Sequence, residues 1–143
     1  MAVLALLLSG GPVVPALCAA EFVAFKHTSI RTTGAPETDT RPFRVLNPTT
    51  TWRLLAINGR LEDPSVERIS SATATLNGVA VLRPNQFNQN VSQLEVPITG
   101  VIQASNTLTT RVRSKPGGRL TIQILGRDDH PPLITIHQPA NGV

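Results

Sequence analysis

Aromatic residues are scarce in this chain: there is no tyrosine, one tryptophan and four phenylalanines among 143 residues. Single-stranded nucleic acids are ordinarily held on aromatic stacking platforms, and so few rings leave little to build one from. Cysteine is rarer still. The one cysteine, Cys18, falls in an N-terminal stretch that reads as removable. Its loss leaves no disulfide, no thiolate nucleophile and no sulfur-ligated metal. Charged residues make up 15% of the chain, against about 25% in an ordinary soluble domain. Helical periodicity is also missing. Outside the extreme N-terminus, no window longer than a few turns repeats apolar residues at i, i+3, i+4 and i+7.

What fills the space is Thr, Ser, Asn and Gln interleaved with Val, Ile and Leu, a composition that favours strands and turns over helices. The formal net charge is +4, enough to assist contact with an acidic surface. The basic residues are scattered singly from Arg31 to Arg127, with one local cluster, RVRSKPGGR (residues 111–119). That distribution reads as a solvated face, and no nucleic-acid partner is expected.

The first 20 residues, MAVLALLLSGGPVVPALCAA, carry no charge. The apolar run Ala2–Leu8 is too short to cross a bilayer, which needs about 20 such residues. It matches the hydrophobic core of a secretory signal followed by small residues, with a cut expected after Ala20. Two features depart from the pattern: no Lys or Arg opens the segment, and Cys18 raises lipidation, although Leu17 before it is bulky. The expectation is a secreted or cell-surface protein with no membrane span in the mature chain.

Downstream, short alternating segments recur. Trp52, Leu54 and Ala56 alternate with Arg53, Leu55 and Ile57. SATATLNGVAVL holds two strand-like runs joined by Asn77-Gly78, a strong hairpin signal because both central residues of the turn need positive φ. Leu94, Val96 and Ile98 form one face of another run, whose Pro97 suits an edge strand. Leu108, Thr110 and Val112 share a face, as do Leu120, Ile122 and Ile124. Arg31–Thr40 reads as a polar connector, and KPGG as a hairpin turn. Seven to eight short strands at this spacing predict an all-β protein, an antiparallel β-sandwich, with a jelly roll or closed barrel as the alternative.

ERISSA (Glu67–Ala72), the ATLNGVAVL hairpin, FNQNVSQLEVPI, NTLTTRVRSKPGGRLTIQI and the closing Gly126 together resemble a bacterial Ig-like β-sandwich module of secreted and cell-surface proteins. The resemblance covers roughly Phe22 to Gly126. It implies a non-enzymatic structural, spacer or interaction domain, and carries no catalytic residue to transfer. DDHPPLITIHQPANG (residues 128–142) resembles the linker and first strand of a further repeat. The expected organisation is therefore a signal-like segment at 1–20, a sandwich at 21–126, and at 127–143 a linker with the start of a next repeat, or a tail. The chain is then expected to be a piece of a tandem array, whose partners are the neighbouring domains of a longer polypeptide.

No chemistry assembles itself from the sequence. His27, His130 and His137 stand in no zinc-type spacing, and the GxSxG elbow is absent, so no enzyme and no cofactor are expected. Ca²⁺ is the one ion considered, on the oxygens of Asn58, Glu62 and Asp63 in NGRLED and of Asp128-Asp129. The rival functional reading is a module that binds polysaccharide or another surface polymer or protein. Its candidate contacts are Trp52, Arg111, Arg113 and Lys115.

Overall fold

The computed structural model of the chain describes residues 19–36 and 38–129. The signal-like segment through Cys18, His130, the double proline and the apolar run after it lie outside them. Among the described residues eight strands follow one another: β1 (Ala20–Ile30), β2 (Thr38–Arg44), β3 (Thr51–Asn58), β4 (Ser71–Leu76), β5 (Val79–Leu82), β6 (Gln93–Pro97), β7 (Ser105–Arg113) and β8 (Arg119–Asp128). A single 3₁₀ turn, Pro84–Gln86, interrupts them.

The strands form two four-stranded sheets in the orders β1-β8-β3-β6 and β2-β7-β4-β5, and every strand pairing is antiparallel. Four of the pairs are β1–β8, β2–β7, β3–β6 and β4–β5. The chain is thus one long antiparallel ribbon, doubled back at its midpoint and rolled up. The pairs β3–β8 and β4–β7 close the roll into two sheets. This is the eight-strand jelly roll, the alternative in the sequence reading. The antiparallel sandwich is as expected. The Ig-like order, in which the first two strands are neighbours, is not adopted: β1 pairs with β8 instead.

The tip of the ribbon is the Asn77-Gly78 turn. Asn77 has φ 52° and Gly78 φ 82°, as a two-residue hairpin loop demands. The KPGG segment is a turn but not a hairpin, because it carries the chain from β7 in one sheet to β8 in the other. Gly117 and Gly118 bond to Arg31 at the end of β1, through Gly117 N–H to Arg31 O (2.7 Å) and Arg31 N–H to Gly118 O (2.8 Å). The connector expected at Arg31–Thr40 gives up its last residues to β2, an edge strand that tolerates Pro42 because one side of it needs no donor.

The core lies between the sheets. Trp52, Leu54 and Ala56 of β3 meet Leu108 and Val112 of β7, with Leu120, Ile122 and Ile124 of β8, all buried as the alternation predicted. Burying each large aliphatic chain contributes about 1.5–3 kcal/mol. β1 obeys no simple alternation because its register slips between Val23 and Phe25. The bulge lets Phe22 and Phe25 both face inward. Phe22 meets Trp52 edge-on at 5.6 Å, and Phe25 stacks on Phe43 of the opposite sheet at 4.6 Å. Beyond the bulge, Lys26 and Thr28 face outward, opposite Gln123 and Thr121 of β8.

Candidate functional site

Trp52 is only 2% exposed. Its indole N–H donates to Asn47 O at 3.0 Å. Its ring and that of Phe22 close over Gly126, the residue paired with both. A Cβ on Gly126 would stand 2.5 Å from Phe22 Cζ and 2.8 Å from two Trp52 ring carbons. The expectation that Trp52 offers a ring to a ligand is therefore corrected: missing bulk at Gly126 lets the indole sink into the core. β8 runs on past Gly126 to Asp128.

Arg111 and Arg113 stand in β7 of the other sheet, Arg111 between Thr38 and Thr73, and Arg113 opposite Ser71. Lys115 follows in the turn. These three are near one another at the pole away from the chain ends, and Trp52 is not with them. The four candidate contacts do not form one site.

The calcium expectation on NGRLED meets a similar obstacle. Asn58 is 1% exposed and turned inward. Its Oδ1 accepts from Ile69 N–H at 2.7 Å, and its Nδ2 donates to Ile69 O at 3.0 Å and Asn88 O at 3.3 Å. Its oxygen is thus spent on the core. Asp63 Oδ1 accepts from Ser65 N–H at 3.0 Å and from the Ser65 hydroxyl. These bonds, the hydroxyl's foremost, hold its carboxyl below the usual range. Asp129 pairs with Arg127 at 3.0 Å. No group of three or more His, Cys, Asp or Glu that could hold a metal occurs among the described residues.

Three surface features remain. The first is a cleft of about 370 Å³ at the pole where the strand ends meet, floored by Phe22, Val45 and Trp52 and rimmed by Arg44, Leu46 and Arg127. Leu46 is fully exposed there and Phe22 is 42% exposed. Ala20 and Asp128 are register partners at this pole, so the chain enters and leaves the domain side by side.

The second is a polar seam between the edge strands β1 and β2. His27 Nε2 donates to Asp39 Oδ2, and Arg41 Nε donates to Asp39 Oδ1 at 2.8 Å. Burial pushes the Asp39 carboxyl up, but the bonds from His27 and Arg41 outweigh it and the carboxyl lies below its usual value. Ser29 Oγ lies 3.3 Å from Thr110 Oγ1, so the serine beside this His–Asp pair is tied to β7 and not to the imidazole. Nucleophilic catalysis needs the latter arrangement.

The third is a groove on the outer face of the first sheet, lined by Lys26, Arg60 and Arg119 over Thr28, Thr121 and Gln123. The sequence flagged Arg119 within RVRSKPGGR and Arg60 and Glu62 within NGRLED, but did not bring them together.

The fold and these surfaces define a jelly-roll β-sandwich whose first and last strands have their outer ends together at one pole. No family model matches the chain, and no curated protein matches it. Among solved structures, the S. cerevisiae SUMO E3 ligase SIZ2 superposes with a TM-score of 0.49 at 10% identity, over 80% of this chain. The match spans 56% of that chain, and a likeness of this degree carries no functional argument. No helix among the described residues is long and apolar enough to cross a membrane.

Proposed function

We propose that this is a non-enzymatic β-sandwich module of an exported bacterial protein, held at one pole by neighbouring domains and presenting the rest of its surface to a partner. The observation that carries this reading is the pairing of Ala20 with Asp128 beside an apolar cleft. Opposed residues on antiparallel strands lie about 5 Å apart, so the module adds almost nothing to the length of an array. Presentation suits such a geometry better than spacing does. The exposed Leu46 and Phe22 at the tethered pole suit contact with an adjoining domain. Export rests on the uncharged leader-like residues 1–20.

The test is to express the whole chain in a bacterium, fractionate the cells and measure the intact mass. The expected product lies outside the cytoplasm and has lost residues 1–20. A full-mass product confined to the cytoplasm overturns the proposal.

A further inference from the structure

Lys26, Arg60 and Arg119 come from separate parts of the chain, yet they line one groove of about 310 Å³. The fold puts each there for a separate reason. The β1 bulge sets Lys26 and Thr28 on the outer face. Gly59, at φ +81°, turns the chain so that Arg60–Glu62 rise at the end of β3. Arg119 is fixed through its backbone, its N–H donating to Glu67 O at 3.2 Å and its carbonyl accepting from Gly59 N–H at 2.8 Å. The floor is ordered too, with Thr28 Oγ1 at 2.9 Å from Thr121 Oγ1.

The charge in the groove is unbalanced. Among the described residues, the Lys and Arg side chains in ion pairs are Arg41, Arg53 and Arg127, none of which lines the groove. Three cations line it with one carboxylate, Glu62; the neighbouring Asp63 also feels Arg60 but is held by Ser65 outside the lining, so positive charge remains in excess. Aromatic side chains are absent from the lining, which disfavours nucleobases, since these are held by stacking. Exposed guanidinium and ammonium groups bind carboxylates through charge-assisted hydrogen bonds. The threonine hydroxyls and the Gln123 amide both donate and accept, as a sugar hydroxyl requires.

We infer that this groove binds a carboxylate-bearing polysaccharide, a polyuronate, with Lys26, Arg60 and Arg119 on the acid groups and Thr28, Thr121 and Gln123 facing hydroxyls. The inference stands on the folded domain alone and does not depend on export or tethering.

Affinity electrophoresis of the intact chain tests it, in gels containing polygalacturonate or neutral dextran, with single-stranded DNA as a competing polyanion. Polygalacturonate should retard the protein and dextran should not. Lys26→Gln with Arg119→Gln should weaken the interaction about tenfold, the scale expected when two exposed charge contacts are lost. Arg44→Gln with Arg127→Gln removes the same charge at the opposite pole and should change it by less than about twofold, since distant exposed charges are screened. If the groove pair destabilises the fold, Lys26→Gln alone serves, because its backbone stays in the ladder. Equal loss from both pairs, no retardation by polygalacturonate, or DNA binding as tight as polyuronate binding would each overturn the inference.

Discussion

Replacing Asn58 by alanine should cost this domain more than any surface substitution, and the structure says how much. The side chain straps the end of β3 to two separate loops through its bonds with Ile69 N–H, Ile69 O and Asn88 O. Ile69 is fully buried, so its amide cannot turn to water once Oδ1 is gone. An orphaned buried donor costs about 1–3 kcal/mol, and each of the other two bonds contributes about 1 kcal/mol net. The sum is about 3–5 kcal/mol. At roughly 4 °C per kcal/mol for a domain of this size, Asn58→Ala should melt about 12–20 °C lower. Asn58→Asp sharpens the test. It keeps an acceptor for Ile69 N–H but aims a second oxygen at carbonyls that had a donor. Burial then raises the introduced carboxyl above its unfolded value of about 3.9. The sign follows: a raised folded value stabilises at low pH and loses that contribution as pH rises. The penalty of Asn58→Asp relative to the parent chain should therefore shrink between pH 7 and pH 4. Urea titrations at both pH values, followed by circular dichroism, give the numbers. The argument fails if Asn58→Ala costs under about 1 kcal/mol, or if the Asn58→Asp penalty does not depend on pH.

Other perturbations follow from the same contacts. Gly126→Ala should destabilise by about 1–3 kcal/mol through overpacking and shift the fluorescence of the lone Trp52; an unchanged melt and spectrum would refute the ring packing described over Gly126. Gly78→Ala meets no atom within 4 Å, so its cost should be purely conformational, about 1–2 kcal/mol; Gly100→Ala, also in open space but without positive φ, should be close to neutral by the same melt. The carboxyls of Glu21, Asp39 and Asp63 all lie below their ordinary values. A lowered folded value stabilises above the unfolded value and is lost on acidification, so urea midpoints should fall below about pH 4. Asp39→Asn should flatten that fall, and a superimposable pH curve would exclude the His27–Asp39–Arg41 seam as a contributor.

The sequence disclosed faces more readily than neighbours. Period-two alternation in β3, β7 and β8 told which residues point inward, because a buried face admits no one-residue slip. It could not tell which strands pair. KPGG looks like a hairpin from either side, yet its flanking strands belong to different sheets. β2 was half hidden in a polar connector because Thr38, Thr40, Arg41 and Pro42 are exposed on an edge strand, where little apolar patterning is needed. Alternation put Trp52 inward, but the space that takes its ring is made only where β1, β3 and β8 meet at a glycine, which no single segment shows. Arg119 closed the cluster RVRSKPGGR and Arg60 stood in NGRLED, but nothing joined them to Lys26, since their proximity depends on the β1 bulge and the β1–β8–β3 register.

The Asn77-Gly78 turn connects these points. It was the clearest mark in the sequence, and it is where the ribbon doubles back. Once a ribbon folds at its midpoint, β4 must meet β5, β3 must meet β6, and so outward until β1 meets β8. The adjacency of Ala20 and Asp128 is thus a consequence of the topology. It divides the surface into a pole that must face the rest of any longer polypeptide and a remainder free to meet something else. The basic groove runs toward the far end, at Gly59 and Arg119, while the apolar cleft with Leu46 lies at the pole of Ala20 and Asp128. Under the proposed function, apolar surface beside the chain ends is shielded by a neighbour at high effective concentration. Unbalanced charge away from them remains hydrated until an anionic partner arrives. For the proposed function this makes orientation the discriminating quantity: Leu46→Asp should weaken packing against a neighbouring domain and leave polyuronate retardation unchanged, whereas Lys26→Gln should do the reverse. If either substitution moved both readouts together, the two poles would not be the independent surfaces that the ribbon topology implies.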